Sequence, residues 1–172
     1  MTSNKYFPAL VCAFGVSVIS IIPGFKNFTC CLFVPMASIA ALFIDQKLTH
    51  FEYRISFKHA IKFGFVMGLY ATFMMSTLDV FITYILKTND LIRSIPDLKV
   101  ALAQLNMGDA ADEAIKLIEF METEIIATGF SSVYTFFMLI NNFVINSVFG
   151  IIGGLIGMSF INTKYFKKPS NN

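Results

Sequence analysis

Residues 63–86 read FGFVMGLYATFMMSTLDVFITYIL, an uninterrupted apolar stretch with one charge, Asp79, and no proline. A bilayer core of roughly 30 Å takes about 20 apolar helical residues, so this stretch is long enough to cross. Its small and polar members are Gly64, Gly68, Thr72, Ser76, Asp79 and Thr83. Spacings of four, with a single three, set all of them on one slowly turning helix face. The stretch therefore predicts a membrane-crossing helix with an apolar surface and one small, polar stripe.

Three more charge-free runs flank it: Tyr6–Ile22, Phe28–Ile44 and Phe130–Ile161. The first two are separated only by Pro23-Gly24-Phe25-Lys26-Asn27, which is turn chemistry, so they pair as a helical hairpin. Both lie near the lower length limit for a span, and a re-entrant pair is the alternative to two full crossings. Pro23-Gly24-Phe25 supplies no small-x-small cleavage site, so the first run reads as a retained helix rather than a signal peptide. Ser56 is placed to cap the helix that leads into the third run. The fourth run is longer than a bilayer requires and ends in Lys164, Tyr165, Lys167 and Lys168. Tyr134 and Tyr165 suit its two interfaces. The fold class is then all-α: a single polytopic membrane domain over residues 1–172, with spans near 6–22, 28–44, 63–86 and 130–161.

Composition agrees. Of 172 residues, 56% are hydrophobic and 14% charged, with a mean hydropathy of +0.68, whereas soluble domains run near 45–50% apolar and about 25% charged. Too little polar surface remains to clothe a water-facing globule, which excludes a disordered tail, a disulfide scaffold and most soluble enzymes. Thirteen Lys and Arg against eleven Asp and Glu is too even a balance to favour nucleic acid. With a cytoplasmic N-terminus, the inner side carries Lys5, Lys47, Arg54, Lys58, Lys62, Lys164, Lys167 and Lys168. The outer side then carries Lys26, Lys87, Arg93, Lys99 and Lys116 among most of the acids. That bias predicts both termini in the cytoplasm.

Residues 87–129 form an acidic insert between the third and fourth runs, expected as two helical pieces. Pro96 fits a first helical turn. Asn106-Met107-Gly108 breaks the pattern and Asp109 recaps it, with Asp112 and Glu113 in a first turn where the helix dipole favours acid. Ala111, Ala114, Ile115, Ile118, Met121 and Ile125 share one apolar face. This face predicts packing against the bundle or the outer membrane surface, or a groove for a partner helix. The acidic polar face gives anionic lipid no electrostatic attraction.

The fourth run carries its own stripe: Asn142, Asn146, Gly150, Gly153 and Gly157, with Gly154 beside it. Helices in lipid associate through close backbone approach at small residues and through interhelical hydrogen bonds. The third and fourth runs are therefore expected to pair antiparallel, glycines against glycines. Asp79 would then find amide donors at Asn142 and Asn146. A carboxylate in hydrocarbon costs on the order of 2.5–3.5 kcal/mol at the centre, so Asp79 must pair, protonate or face water. Thr72, Ser76, Asp79, Thr83, Asn142 and Asn146 make a candidate intramembrane polar site, read either as packing glue or as an ion or proton path.

Other chemistry is sparse. Cys12, Cys30 and Cys31 have no second pair at metal-binding spacing, and His50 and His59 fit no ligand or catalytic pattern. Phosphate loops, nucleophile elbows and paired carboxylates are likewise not found. No catalytic residue, cofactor or metal is predicted.

The stretch Ile55-Ser56-Phe57-Lys58-His59-Ala60-Ile61-Lys62-Phe63-Gly64, followed by an acidic amphipathic insert and a glycine-rich last run with a lysine tail, resembles the bacterial domain of unknown function 4199 family. That resemblance implies a four-span protein of the bacterial cytoplasmic (inner) membrane and carries no activity or site residues. The expected function is binding: an accessory or assembly subunit of a membrane complex, or a homo-oligomer. A small oligomeric transporter or channel using the stripe around Asp79 is the alternative.

Overall fold

The computed structural model describes residues 6–22, 24–25, 28–104 and 108–166. Lys5, Pro23, Lys26, Asn27, Asn106, Met107, Lys167 and Lys168 lie outside the described residues, as does the side chain of Cys30. Among the described residues all regular structure is helical. Helix α1 spans Phe7–Ser20, and α2 spans Val34–Leu48 after a π-helical stretch at Thr29–Phe33. Helix α3 spans Phe57–Leu86, α4 Asp90–Gln104, α5 Asp109–Thr128 and α6 Ser132–Tyr165.

Among the described residues three stretches are long and apolar enough to cross a membrane: Cys31–Leu48, Phe57–Leu86 and Ser132–Tyr165. Helix α1 has 14 residues, about 21 Å at helical rise, short of the roughly 30 Å of a hydrocarbon core. Three of the four expected crossings thus have a helix that meets the length requirement, and the first does not.

Each long helix also outruns its apolar stretch, because helical hydrogen bonding does not stop where hydrocarbon does. Helix α2 continues past Ile44 through Asp45, Gln46 and Lys47. Helix α3 starts at Phe57, where Ser56 Oγ accepts a bond from His59 N at 3.3 Å. Helix α6 starts at Ser132, with Ser131 Oγ accepting from Tyr134 N at 3.3 Å.

Two details of the insert are corrected. Pro96 lies inside α4 and not in its first turn, because Asn89 Oδ1 accepts from Ile92 N at 3.0 Å and starts the helix earlier. Gly108, at φ +56°, and not Asp109 takes the N-cap of α5.

Contacts divide the chain into two compact units, Met1–Ser76 with Leu139–Asn172, and Thr77–Met138. In the second, Ala111, Met121 and Ile125 are buried as their helical spacing requires, and α4 packs on α5. Lys99 Nζ lies 2.7 Å from Glu119 Oε1 across that pair. The hydrogen bond to Glu119 holds the Lys99 ammonium above its usual range, burial opposing only weakly. Lys87, at φ +49° just past α3, donates to Ala127 O at 3.2 Å, satisfying a carbonyl at the C-terminal end of α5. Gly129, at φ +80°, ends α5 so close to the last turn of α3 that a Cβ would lie 2.5 Å from Tyr84 O.

The first unit packs many small residues between its helices beside a few large ones, Leu42, Phe63, Met67 and Ile161, which are fully buried. Ala9, Ala13 and Ser17 of α1, Ala37, Ser38 and Ala41 of α2, and Ala60 and Ala71 of α3 are buried. Phe14, Phe73, Val144 and Phe160 are exposed instead. A surface this rich in large apolar side chains departs from that expected in water and suits a lipid surround.

Candidate functional site

Helices α3 and α6 meet through glycine. A Cβ on Gly64 would strike the Gly150 carbonyl, and one on Gly68 would strike that of Asn146. Gly154 sits on Ala60, where a Cβ would lie 2.5 Å from the carbonyl oxygen. Each step of four along α3 meets a step of four backwards along α6, the antiparallel register expected from the two stripes. The next step brings Thr72 to Asn142. Thr72 Oγ1 lies 2.9 Å from Gly68 O and 3.1 Å from Asn142 O, so its one proton is shared between an intrahelical and an interhelical carbonyl. Asn142 Nδ2 donates to Ser76 Oγ at 3.0 Å. Asn146 Nδ2 donates to Thr72 Oγ1 at 3.4 Å and approaches Met75 Sδ at 3.7 Å. Thr72, Ser76 and Asn146 are all buried.

Gly153 and Gly157 behave otherwise than the single stripe predicted. Both face α2: a Cβ on Gly153 would strike Pro35 O, and one on Gly157 would lie 3.2 Å from Ile39 Cα. Ser38 Oγ donates to Gly150 O at 2.8 Å in the same contact. Two i,i+4 glycine pairs offset by three residues make two adjacent faces, so α6 receives α3 on one and α2 on the other. Pairing advances in step along α2 and α6, so these two helices run parallel while α3 runs against them.

Asp79 and Thr83 belong to the second unit. Thr83 is buried and lines a small cleft with Ser131, Tyr134 and Thr135, while Asp79 is half-buried. The amides of Asn142 and Asn146, expected to serve Asp79, donate to Ser76 and Thr72.

A second polar cluster was not singled out from the sequence. It lies where α2 and α6 end and α3 begins, an end tied together by Asn162, whose Nδ2 donates to Ile55 O at 2.9 Å and whose Oδ1 accepts from Ile55 N at 3.0 Å. Gln46 is fully buried and Asp45 nearly so. His59 Nε2 stands 3.7 Å from Asp45 Oδ2, and neither atom has a hydrogen-bond partner. Both polar atoms of the Gln46 amide are also without one.

Tyr53 closes this cluster from the loop, its ring edge-on to His59 at 6.2 Å between centroids. Burial pushes the Tyr53 phenol above its usual range and the Asp45 carboxylate adds to this, while Thr49 and Gln46 pull the other way. A folded-state phenol raised above its unfolded value stabilises the fold at lower pH, and that contribution is lost as pH rises through the folded value. An absorbance titration of wild type against Tyr53→Phe should show one tyrosine ionising late, and Asp45→Asn should bring it earlier. An unchanged late component in Asp45→Asn would refute the carboxylate's part.

Among the described residues no group of three or more His, Cys, Asp and Glu is placed to hold a metal ion. Cys12 is half-buried in α1 and Cys31 is exposed. No protein-family model, no curated protein and no solved structure matches this chain.

Proposed function

We propose that this chain is a small integral protein of a bacterial cytoplasmic membrane that acts by binding, as an accessory or assembly subunit of a membrane complex or as a homo-oligomer. The four-span arrangement with both termini inside, and kinship with the domain of unknown function 4199 family, are part of this reading. Support comes from the cations: Lys47, Arg54, Lys58, Lys62 and Lys164 fall in the segments at one end of the first unit, where α2 and α6 finish and α3 starts.

The observation that carries the binding role is the outer face of α5. Its inner face is already buried through Ala111, Met121 and Ile125, yet Leu117 and Phe120, one turn apart, remain 41% and 52% exposed between Glu113 and Glu124. Helix α5 is not among the stretches apolar enough to cross a membrane, so these two side chains do not belong to a crossing helix. An apolar pair framed by acids suits a helix with an apolar stripe and basic flanks. The seam of Thr72, Ser76, Asn142 and Asn146 favours this reading over a transport path, because its hydroxyls and amides are taken up by bonds within the chain.

The test is purification in mild detergent from native membranes. A stoichiometric partner or a defined homo-oligomer is expected, and Leu117→Glu with Phe120→Glu should abolish it while leaving the melting temperature within a few degrees. A monomer without partner, or pH-dependent flux through liposomes that Asp79→Asn removes, would overturn the proposal.

A further inference from the structure

A groove of about 390 Å³ runs between α2 and α6, lined by Met36, Ile39, Ala40, Phe43 and Phe160 with Lys164 at its end. Its origin lies in the sequence of α6. Gly153 and Gly157 let α2 approach to backbone contact, but beyond Gly157 the helix has no further glycine before Lys164. Phe43 and Phe160 then stand on the two walls, and Ala40 is too small to fill the space between them. A ring cluster bounds the same end, with Phe51 stacked on Tyr165 at 4.2 Å and Phe43 at 6.2 Å from Tyr165.

The charge at this mouth is specific. Lys164 Nζ lies 5.8 Å from the Phe160 ring centre and 5.5 Å from that of Tyr165, which positions the ammonium over aromatic faces beside the apolar groove. The mouth belongs to the end where α2 and α6 finish and α3 begins, whose segments also carry Lys47, Arg54, Lys58 and Lys62. An apolar channel ending in a cation, at the cation-rich end of a membrane bundle, is complementary to one kind of molecule. We infer that the α2–α6 groove is a binding site for an anionic phospholipid of the inner leaflet, with an acyl chain along Met36, Ala40 and Phe160 and the headgroup phosphate on Lys164. Basic pockets between membrane helices on the cytoplasmic side recognise such headgroups in general. The inference rests on the proposed membrane reading, with the end where α2 and α6 finish on the cytoplasmic side, and is independent of any protein partner.

The full-length protein in mild detergent is incubated with phosphatidylglycerol or with phosphatidylcholine of the same acyl chains, and bound lipid is counted by native mass spectrometry. Preferential retention of phosphatidylglycerol is expected. Lys164→Gln should lower its affinity about fivefold, the effect of one basic residue near an anionic surface, without altering phosphatidylcholine. Ala40→Phe, at an exposed position, fills the groove and should remove both. Lys62→Gln takes away a cation of the same end that does not line the groove and should change nothing. Equal retention of the two lipids, an equal loss with Lys62→Gln, or indifference to Ala40→Phe would each overturn the site. Release of the wild-type chain from membranes by alkaline carbonate would instead refute the membrane reading itself.

Discussion

Gly64→Val should collapse the pairing of α3 with α6 and lower the melting temperature of the purified protein by about 6–12 °C. A Cβ at Gly64 meets the carbonyl group of Gly150 and, at 2.9 Å, the Cα of Ile151, so the obstruction is main chain and no rotamer change relieves it. Overpacking costs about 1–3 kcal/mol where side chains can shift. Main chain in two long helices shifts less readily, and a cost of about 3 kcal/mol corresponds to that temperature change at about 2–4 °C per kcal/mol for a chain of this size. Displacing α6 at Gly150 also pulls its carbonyl from Ser38 and drags Asn146 and Asn142 out of register with Thr72 and Ser76. Gly15→Ala supplies the control. No atom lies within 4 Å of a Cβ there, so replacing a glycine in the interior of α1 should stabilise by roughly 0.5–1 kcal/mol. If both variants melt together in heated detergent extracts assayed by size-exclusion chromatography, the glycine contact is not what joins these helices.

The legibility of that contact follows from the physics of lipid. Where large apolar side chains face outward along most of a helix, glycine, threonine and asparagine have a particular reason to face another helix. Spacing alone sets the two stripes antiparallel with glycines against glycines and the asparagine amides at Asp79, whereas Gly68 meets Asn146 and the amides go to Ser76 and Thr72. The second glycine face of α6 was harder. Gly153 and Gly157 lie so near the first line that one stripe and two adjacent stripes read alike, and only Pro35, Ser38 and Ile39 on the partner helix separate them. Asp45, Gln46 and His59 escaped notice for a different reason. A run counted by absence of charge stops at Ile44, short of the last turn of α2, and the groups that gather on that turn, Tyr53 of the following loop and His59 of α3, come from segments whose approach no periodicity within α2 encodes.

Gln46→Met should stabilise the protein, by about 1–3 kcal/mol for each buried polar group no longer left unsatisfied. Gln46 is 0% exposed and neither amide atom has a hydrogen-bond partner. A side-chain hydrogen-bonding interaction with Gln46 lowers the Tyr53 phenol, but its geometry falls short of a full bond and leaves both amide atoms unsatisfied. Methionine has nearly the same length and no polar atom, so it fills the same space and removes only the desolvation cost. Gln46→Ala is the necessary companion: it removes the same cost but opens a cavity, and should come out less stable than the methionine variant by roughly 2 kcal/mol or more. Melting temperatures of the three proteins in one detergent decide the matter. A methionine variant less stable than wild type would mean that the Gln46 amide is satisfied in the working protein. Asp45, Gln46 and His59 would then have a polar partner among them, and the end of the bundle where α2 and α6 finish, instead of the stripe around Asp79, would be the place to look for a bound polar molecule.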